Sequence, residues 1–250
     1  DLGFSSRAEG DYGTSVILPA CDFSIDEIGR ALEKWWWPLL IDDGAMGKVS
    51  FELTEDDGSI YKVDPSQREE LYPYIKAANN NRENITIDKK TKTQEIIIRQ
   101  DKVKKPGKLS CLRLPKDSES LLKNRVAIIR DKLVIEYTDR AFREEGDAAV
   151  GVFYVTDDPK LKKIVTFSEP PAHDTIQEKH SRLIEVFGSD GSDFIRLMQN
   201  QIKEKCRDFQ STLSRTQKSE RNDVLSFLDE MLGPLIKPRK TGQPKPPEVT

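Results

Sequence analysis

Apolar positions along the chain recur first at every second residue and later at every third or fourth, and the change of period near Thr175 separates a sheet-rich part from a helical one. Thr14 to Leu18 is β-branched and apolar and follows the turn-rich run Gly10-Asp11-Tyr12-Gly13, which predicts a strand leaving a loop. Ser24-Ile25-Asp26-Glu27 has the spacing of a capping box, and Phe23 and Ile28 fit the flanking hydrophobic staple. A helix of about 15 residues is expected there. Ile25, Ile28, Leu32, Trp35 or Trp36, and Leu39 share one face of it, a stripe to bury against a sheet. Val49, Phe51 and Leu53 alternate with polar residues, and Ile60 to Val63 repeats the habit after Glu55-Asp56-Asp57-Gly58, so these segments form a hairpin. Asp64-Pro65-Ser66-Gln67 opens a second helix, with Leu71, Tyr72, Ile75 and Ala78 inward and Asn79-Asn80-Asn81 at its end.

Further strands are expected at Gln94 to Arg99, at Lys108 to Leu114, and at the pair Arg125–Ile129 and Leu133–Tyr137 joined by Arg130-Asp131-Lys132. Ala148 to Val155 is almost continuously apolar, as a strand covered on both faces must be, and Ile164 to Phe167 reads as a shorter neighbour. Beyond Thr175, Ile176, Leu183, Ile184 and Phe187 mark one helix that Gly188-Ser189-Asp190-Gly191 breaks. Phe194, Ile195, Met198, Ile202 and Phe209 stripe a long helix, and Val224, Leu225, Leu228 and Leu232 another before Gly233-Pro234. The pattern specifies an α+β fold: a mixed, mostly antiparallel sheet with packed helices over residues 1–170, a helical region over 171–236, and a tail, 237–250, too polar and proline-rich to order.

Charge narrows the partners. With 40 basic and 43 acidic residues the net charge is −3, so no global basic field exists to hold a nucleic-acid backbone. No apolar run approaches the ~20 residues of a membrane span, and Asp1-Leu2-Gly3-Phe4 has neither the charged nor the apolar region of an export signal. Membrane partners are not expected, and a cytoplasmic location is. Cys21, Cys111 and Cys206 are far apart and form no metal-type pair, which suits reduced thiols. The first residue is not Met and a folded-looking segment follows almost at once, so the chain is expected to be a piece of a longer parent.

Gly13-Thr14-Ser15-Val16, a Gly-Thr at a strand start after a glycine-containing loop, resembles the last nucleotide-site motif of the GHKL (Bergerat-fold) ATPase superfamily, which includes type II topoisomerase ATPase subunits, MutL-type mismatch repair proteins, heat-shock chaperones and histidine kinases. In that family the Thr hydroxyl reaches the adenine network, which implies cofactor-binding roles for Gly13 and Thr14. The sheet-rich stretch and helices that follow suit the transducer-type domain found after the ATPase domain. The family's acidic-Asn helix for Mg²⁺ and the catalytic water, its Asp-x-Gly-x-Gly and its glycine-rich lid are missing here. The resemblance therefore implies a coupling domain that is not catalytic alone, with the ATPase domain upstream in the same parent as its partner. ATP and Mg²⁺ would belong to the intact parent, with no cofactor in this chain alone.

Three other features carry chemistry. Ser168-Glu169-Pro170-Pro171-Ala172-His173-Asp174, similar to a run in some bacterial GHKL-type proteins, puts two carboxylates and an imidazole on a proline-stiffened loop. His173 is the candidate general acid or base of a hydrolase, oriented by Glu169 or Asp174; the alternative is a rigid corner with Asp174 or Thr175 capping a helix. Trp35-Trp36-Trp37 cannot all face one core, since successive helical side chains lie about 100° apart. An exposed indole would serve a protein partner or a base, or the helix has a wide apolar face. Lys102, Lys104, Lys105 and Lys108, read as a loop between strands, suit phosphates or solvent, the first giving a nucleic-acid-binding module without any ATPase. Walker A, Gly-x-Ser-x-Gly and His-Glu-x-x-His sequences are absent.

Overall fold

The structure, a computed structural model, describes residues 13–17, 21–41, 49–55, 57–82, 90–99, 102–115, 122–139, 141–172 and 174–236, with side chains to 213. The chain divides into two compact units, 1–68 and 69–250, not at the expected boundary of 170. The α+β class stands: helices combine with a two-stranded and a five-stranded sheet, both mostly or wholly antiparallel.

In the first unit, α1 (Ile25–Leu40) starts at the expected capping box: Ser24 Oγ accepts from the Glu27 N–H at 3.3 Å, and Glu27 Oε2 accepts from the Ser24 N–H at 2.8 Å. The expected apolar stripe is only half-buried. The buried line is Gly29, Glu33, Trp37 and Leu40, about one residue round the helix. A carboxylate causes the rotation. Glu33 accepts from Tyr61 Oη at 3.0 Å, from the Asp64 N–H at 3.0 Å and from Arg68 Nε, while Arg68 Nη2 donates to Tyr61 Oη at 2.6 Å. A buried charge survives only when paired in this way. Of the three indoles, Trp37 is buried, and Trp36 and Trp35 are half-buried, Trp36 edge-on to Phe51 with ring centroids 5.3 Å apart.

The hairpin forms from β1 (Glu52–Thr54) and β2 (Ile60–Lys62), with Leu53 opposite Tyr61. The Tyr61 ring lies across α1 at Gly29, where a Cβ would sit 2.3 Å from Tyr61 Cε1. Gly29→Ala should therefore lose about 1–2 kcal/mol despite the ~1 kcal/mol better helix propensity of alanine, because the ring that bonds Glu33 must move away. A lower urea midpoint by far-UV circular dichroism checks this.

The helix expected from Asp64 is broken in two. Asp64 caps only a 3-10 turn, Pro65–Gln67, accepting from the Ser66 N–H at 3.0 Å. The α-helix α2 (Tyr72–Arg82) belongs to the second unit. Pro73 is the reason, since a continuous helix from 65 would place its ring against the carbonyl of Glu69.

The second unit is built on β3 (Thr91–Arg99), β4 (Val103–Arg113), β5 (Val126–Arg130), β6 (Leu133–Thr138) and β7 (Ala149–Val155), in the order β3-β4-β7-β5-β6. Neighbours are antiparallel except β5 and β7. The most apolar run is the central strand, as its composition requires: Ala149 to Phe153 are fully buried. Alternation sends Leu109, Cys111, Phe153 and Ile128 to one face, where α4 (Ser181–Ile236) covers them with Leu183, Phe194, Ile195, Met198, Ile202 and Phe209 in one core. The other face receives α2, whose Tyr74 donates to the Leu122 carbonyl at 2.6 Å and packs edge-on to Tyr137, and whose Asn81 donates to the Lys108 carbonyl at 3.1 Å.

Several expectations need correction. Residues 13–17 lie outside any helix or strand and are exposed, so the strand expected from Thr14 is not seen there, and Leu18 lies outside the described residues. Ile164–Phe167 is not a strand but the end of a helix, α3 (Pro159–Phe167). Asp158 caps it by accepting from the amides of Lys160 and Leu161 at 3.0 and 2.9 Å, Pro159 opens it, and Leu161, Ile164 and Val165 have helical spacing. The helix expected from Thr175 starts at Ser181; the break at Gly188 is present as a kink (φ 60°, ψ −149°), and the helix then runs on to Ile236 without a second start. The tail 237–250 lies outside the described residues.

Candidate functional site

The acidic loop is built on the end of α3. Ser168 closes that helix, its hydroxyl donating to the Val165 carbonyl at 2.6 Å. The chain then turns so that Glu169 enters the protein, where both carboxylate oxygens accept from Arg130: Oε1 from Nε at 2.7 Å and Oε2 from Nη2 at 2.8 Å. The Glu169 side chain is 0% exposed. Arg130 ends β5 beside the Asp131-Lys132 turn, whose two central residues both have positive φ (51° and 65°), as a two-residue hairpin with the sheet's twist demands. Asp131 accepts from Arg130 Nη1 at 2.6 Å and pairs with Lys162 of α3. Glu169 raises the Arg130 pKa, so this guanidinium is a fixed charge.

The rest of the loop is equally tied down. Glu136 of β6 accepts from the Ile176 N–H at 2.7 Å and from Thr175 Oγ1 at 3.4 Å. Gln177 N–H donates to the Ser168 carbonyl at 2.9 Å, and Gln199 Nε2 of α4 to the Ile176 carbonyl at 3.2 Å. His180 Nδ1 lies 3.0 Å from the Phe167 carbonyl, which can only accept, so that nitrogen carries the proton. Asp174 is exposed, and His173 lies outside the described residues. A carboxylate held through both oxygens by one guanidinium is fixed in place by a charge-assisted, bidentate pair. Glu169 is thus an anchor, and the segment from Ser168 to His180 fastens α3 and α4 to the β5–β6 hairpin.

Asp131 lends itself to a pH test. Burial raises its pKa, but the bonds from Lys162 and Arg130 outweigh this, leaving it below its ordinary value of 3.8. A carboxylate depressed in the fold stabilises above its unfolded pKa, and that contribution disappears as pH falls through the folded value. Asp131→Asn, which keeps a residue tolerant of positive φ, should therefore be less stable than the parent at about pH 6, with the difference shrinking as pH falls below 3.8 and through the carboxyl's lowered pKa. Urea midpoints measured across that range decide it.

The remaining candidates are dispersed. Gly13 and Thr14 lie in the exposed segment of the first unit. Lys104, Lys105 and Lys108 are not on a loop but within β4; Lys102 alone stands at the bend before it. Lys105 Nζ pairs with Glu95 Oε2 at 2.8 Å, and Lys104 Nζ lies 5.7 Å from the centre of the Phe194 ring on α4. Strand alternation sends the adjacent Lys104 and Lys105 to opposite faces, so the four lysines do not all share one face.

Sequence reading missed two features. One is the Glu33–Arg68–Tyr61 cluster, whose only sequence signal is a carboxylate at helical spacing from Gly29 and Trp37. The other is a half-open groove of about 540 Å³ between edge strand β3 and α4, lined among others by Gln94, Ile98, Arg99, Leu197, Gln201 and Lys205. The steps of four from Leu197 to Lys205 mark its helical wall. Among the described residues no group of His, Cys, Asp and Glu is placed to hold a metal ion, and no helix is long and apolar enough to cross a membrane. Comparison with protein-family models, curated proteins and solved structures finds no match to this chain.

Proposed function

We propose that this chain is the coupling part of a larger GHKL-type ATPase, passing nucleotide state to a partner and doing no chemistry alone. The observation that carries the reading is the sequence motif Gly13-Thr14-Ser15-Val16, which resembles the family's last nucleotide-site element; residues 13–17 are exposed upstream of the capped start of α1, without the strand start that the motif has in the family. Thr14 then supplies a hydroxyl to the adenine network of a site whose other parts belong to the preceding domain. In this reading MgATP is held by that domain.

Two further features support a mechanical role. Glu169 is held by Arg130 through both carboxylate oxygens, which ties the loop after α3 to β5. Helix α4 is fixed to the sheet from Leu183 to Leu213 and continues to Ile236, about 35 Å further at ~1.5 Å per residue. A helix rooted in a rigid sheet and extending beyond it transmits displacement of the sheet as a lever.

Thr14→Val in the intact parent is expected to raise the KM for ATP about tenfold, the loss of one hydrogen bond of ~1.4 kcal/mol, while this chain alone shows no turnover. Steady-state turnover of the parent, its variant and the isolated chain checks this. Unchanged KM, or hydrolysis by the isolated chain, sinks the reading.

A further inference from the structure

Cys111 and Cys206 face each other inside the second unit. Their sulfurs are 4.0 Å apart, and both residues are 0% exposed. Cys111 lies on β4, flanked by Lys92 of β3 and by Gly151 of β7, which has no side chain to crowd it. Cys206 comes from α4, one turn from Ile202 and close to Phe209 in the same core. The contact joins the sheet to the helix that covers it across 95 residues of sequence. A disulfide requires the sulfurs to close to ~2.05 Å, an approach of about 2 Å, which needs side-chain rotation and a small movement of the helix. Gln210, one turn beyond Cys206, holds this part of α4 in register: its side chain accepts from the Arg143 N–H at 2.7 Å and donates to the carbonyls of Arg143 and Asp147 at 3.0 and 2.9 Å.

We propose that Cys111 and Cys206 form a redox site, oxidised by a low-molecular-weight disulfide such as oxidised glutathione to an intramolecular disulfide that locks α4 onto β4. One cysteine, as thiolate, attacks oxidised glutathione, releasing one glutathione thiolate and leaving a protein–glutathione mixed disulfide. The second cysteine, as thiolate, attacks the protein sulfur of that bond and releases the second glutathione. The protein loses two electrons and two protons, and the oxidant leaves as two glutathione thiols, so atoms and electrons balance.

Burial controls the rate. It pushes the Cys206 thiol well above its ordinary pKa, so neither thiolate nor oxidant is present while α4 is seated. Reaction therefore follows local opening of α4, and the product records that opening as a cross-link. The exposed Cys21 needs no opening and takes up glutathione first.

The test uses the full chain carrying Cys21→Ser, incubated with excess oxidised glutathione until Cys21 in the unsubstituted chain is fully glutathionylated and for ten such periods more, then denatured with a maleimide and weighed. The expected product takes no maleimide, has lost two hydrogens, yields a Cys111–Cys206 linked peptide, and melts about 5–10 °C higher than the reduced form, as a cross-link closing a long loop does. Cys206→Ala in the same background should restore one maleimide label and abolish the shift. Two labels on the oxidised Cys21→Ser chain, or a persistent glutathione adduct on either cysteine, overturns the proposal.

Discussion

Glu169→Ala should destabilise the unit formed by residues 69–250 by about 3 kcal/mol, with urea unfolding monitored by far-UV circular dichroism as the measurement. Removing one member of a buried ion pair costs ~3–5 kcal/mol, because the other is left charged and short of solvent. The lower end applies since Arg130 is 17% exposed and retains Asp131. Glu169→Gln, which keeps the volume and one acceptor, should lose about 2 kcal/mol, again through the unpaired guanidinium. The sharper observation is the double variant. Arg130→Met with Glu169→Leu leaves no orphan charge, so it should be more stable than the sum of the single losses predicts by about 2 kcal/mol or more. A catalytic carboxylate behaves in the opposite way, since Glu169→Gln then removes an activity while leaving the urea midpoint in place. The double-mutant cycle therefore distinguishes anchor from base without a known substrate.

Where local rules act alone, the fold was legible. The capping box at Ser24, the β5–β6 hairpin around Asp131-Lys132 and the buried central strand from Ala149 each depend on neighbours within a few residues. The errors came where two local signals competed. Ile164-Val165 looked like a strand because β-branched residues favour one, yet Asp158-Pro159 just upstream is a helix start and outweighed them. Asp64-Pro65 looked like the start of a long helix, and Pro73 cut it short. The candidate site was less legible because its state depends on residues remote in sequence. Glu169 reads as a free acid until Arg130, 39 residues earlier, is seen to occupy both its oxygens, and Glu33 reads as a surface residue until Arg68 and Tyr61 close over it. No periodicity encodes such pairings, and the contact of Cys111 with Cys206 is of the same kind.

Gly107→Ala is the substitution expected to cost most, about 4 kcal/mol. The residue is in β4, paired with Ile96 of β3 on one side and Val155 of β7 on the other, next to the irregularity in register between Ile96 and Ile98. A Cβ there would lie 2.0 Å from the Tyr154 carbonyl oxygen and 2.7 Å from Phe153 Cζ. An obstructing side chain turns away at modest cost, but a backbone oxygen within a ladder does not. Relief requires β4 and β7 to part at the Gly107–Val155 end of their ladder, disturbing the Thr156 N–H bond to Pro106 at 2.8 Å and shifting Phe153, which is 0% exposed in the core beneath α4. The entropy an alanine removes from the unfolded chain returns only ~0.4–1 kcal/mol. Gly29→Ala, where the obstruction is the movable Tyr61 ring, supplies the comparison, and its smaller loss of about 1–2 kcal/mol should register in the first unit alone. Amide hydrogen exchange should then show Gly107→Ala loosening β4, β7 and α4 together, because the strand that loses its place carries the face on which α4 sits. Unchanged exchange in α4 would mean that the helix is held by the Gln210 and Gln199 contacts and not by the sheet surface beneath it, and would remove the rigid floor that a lever requires.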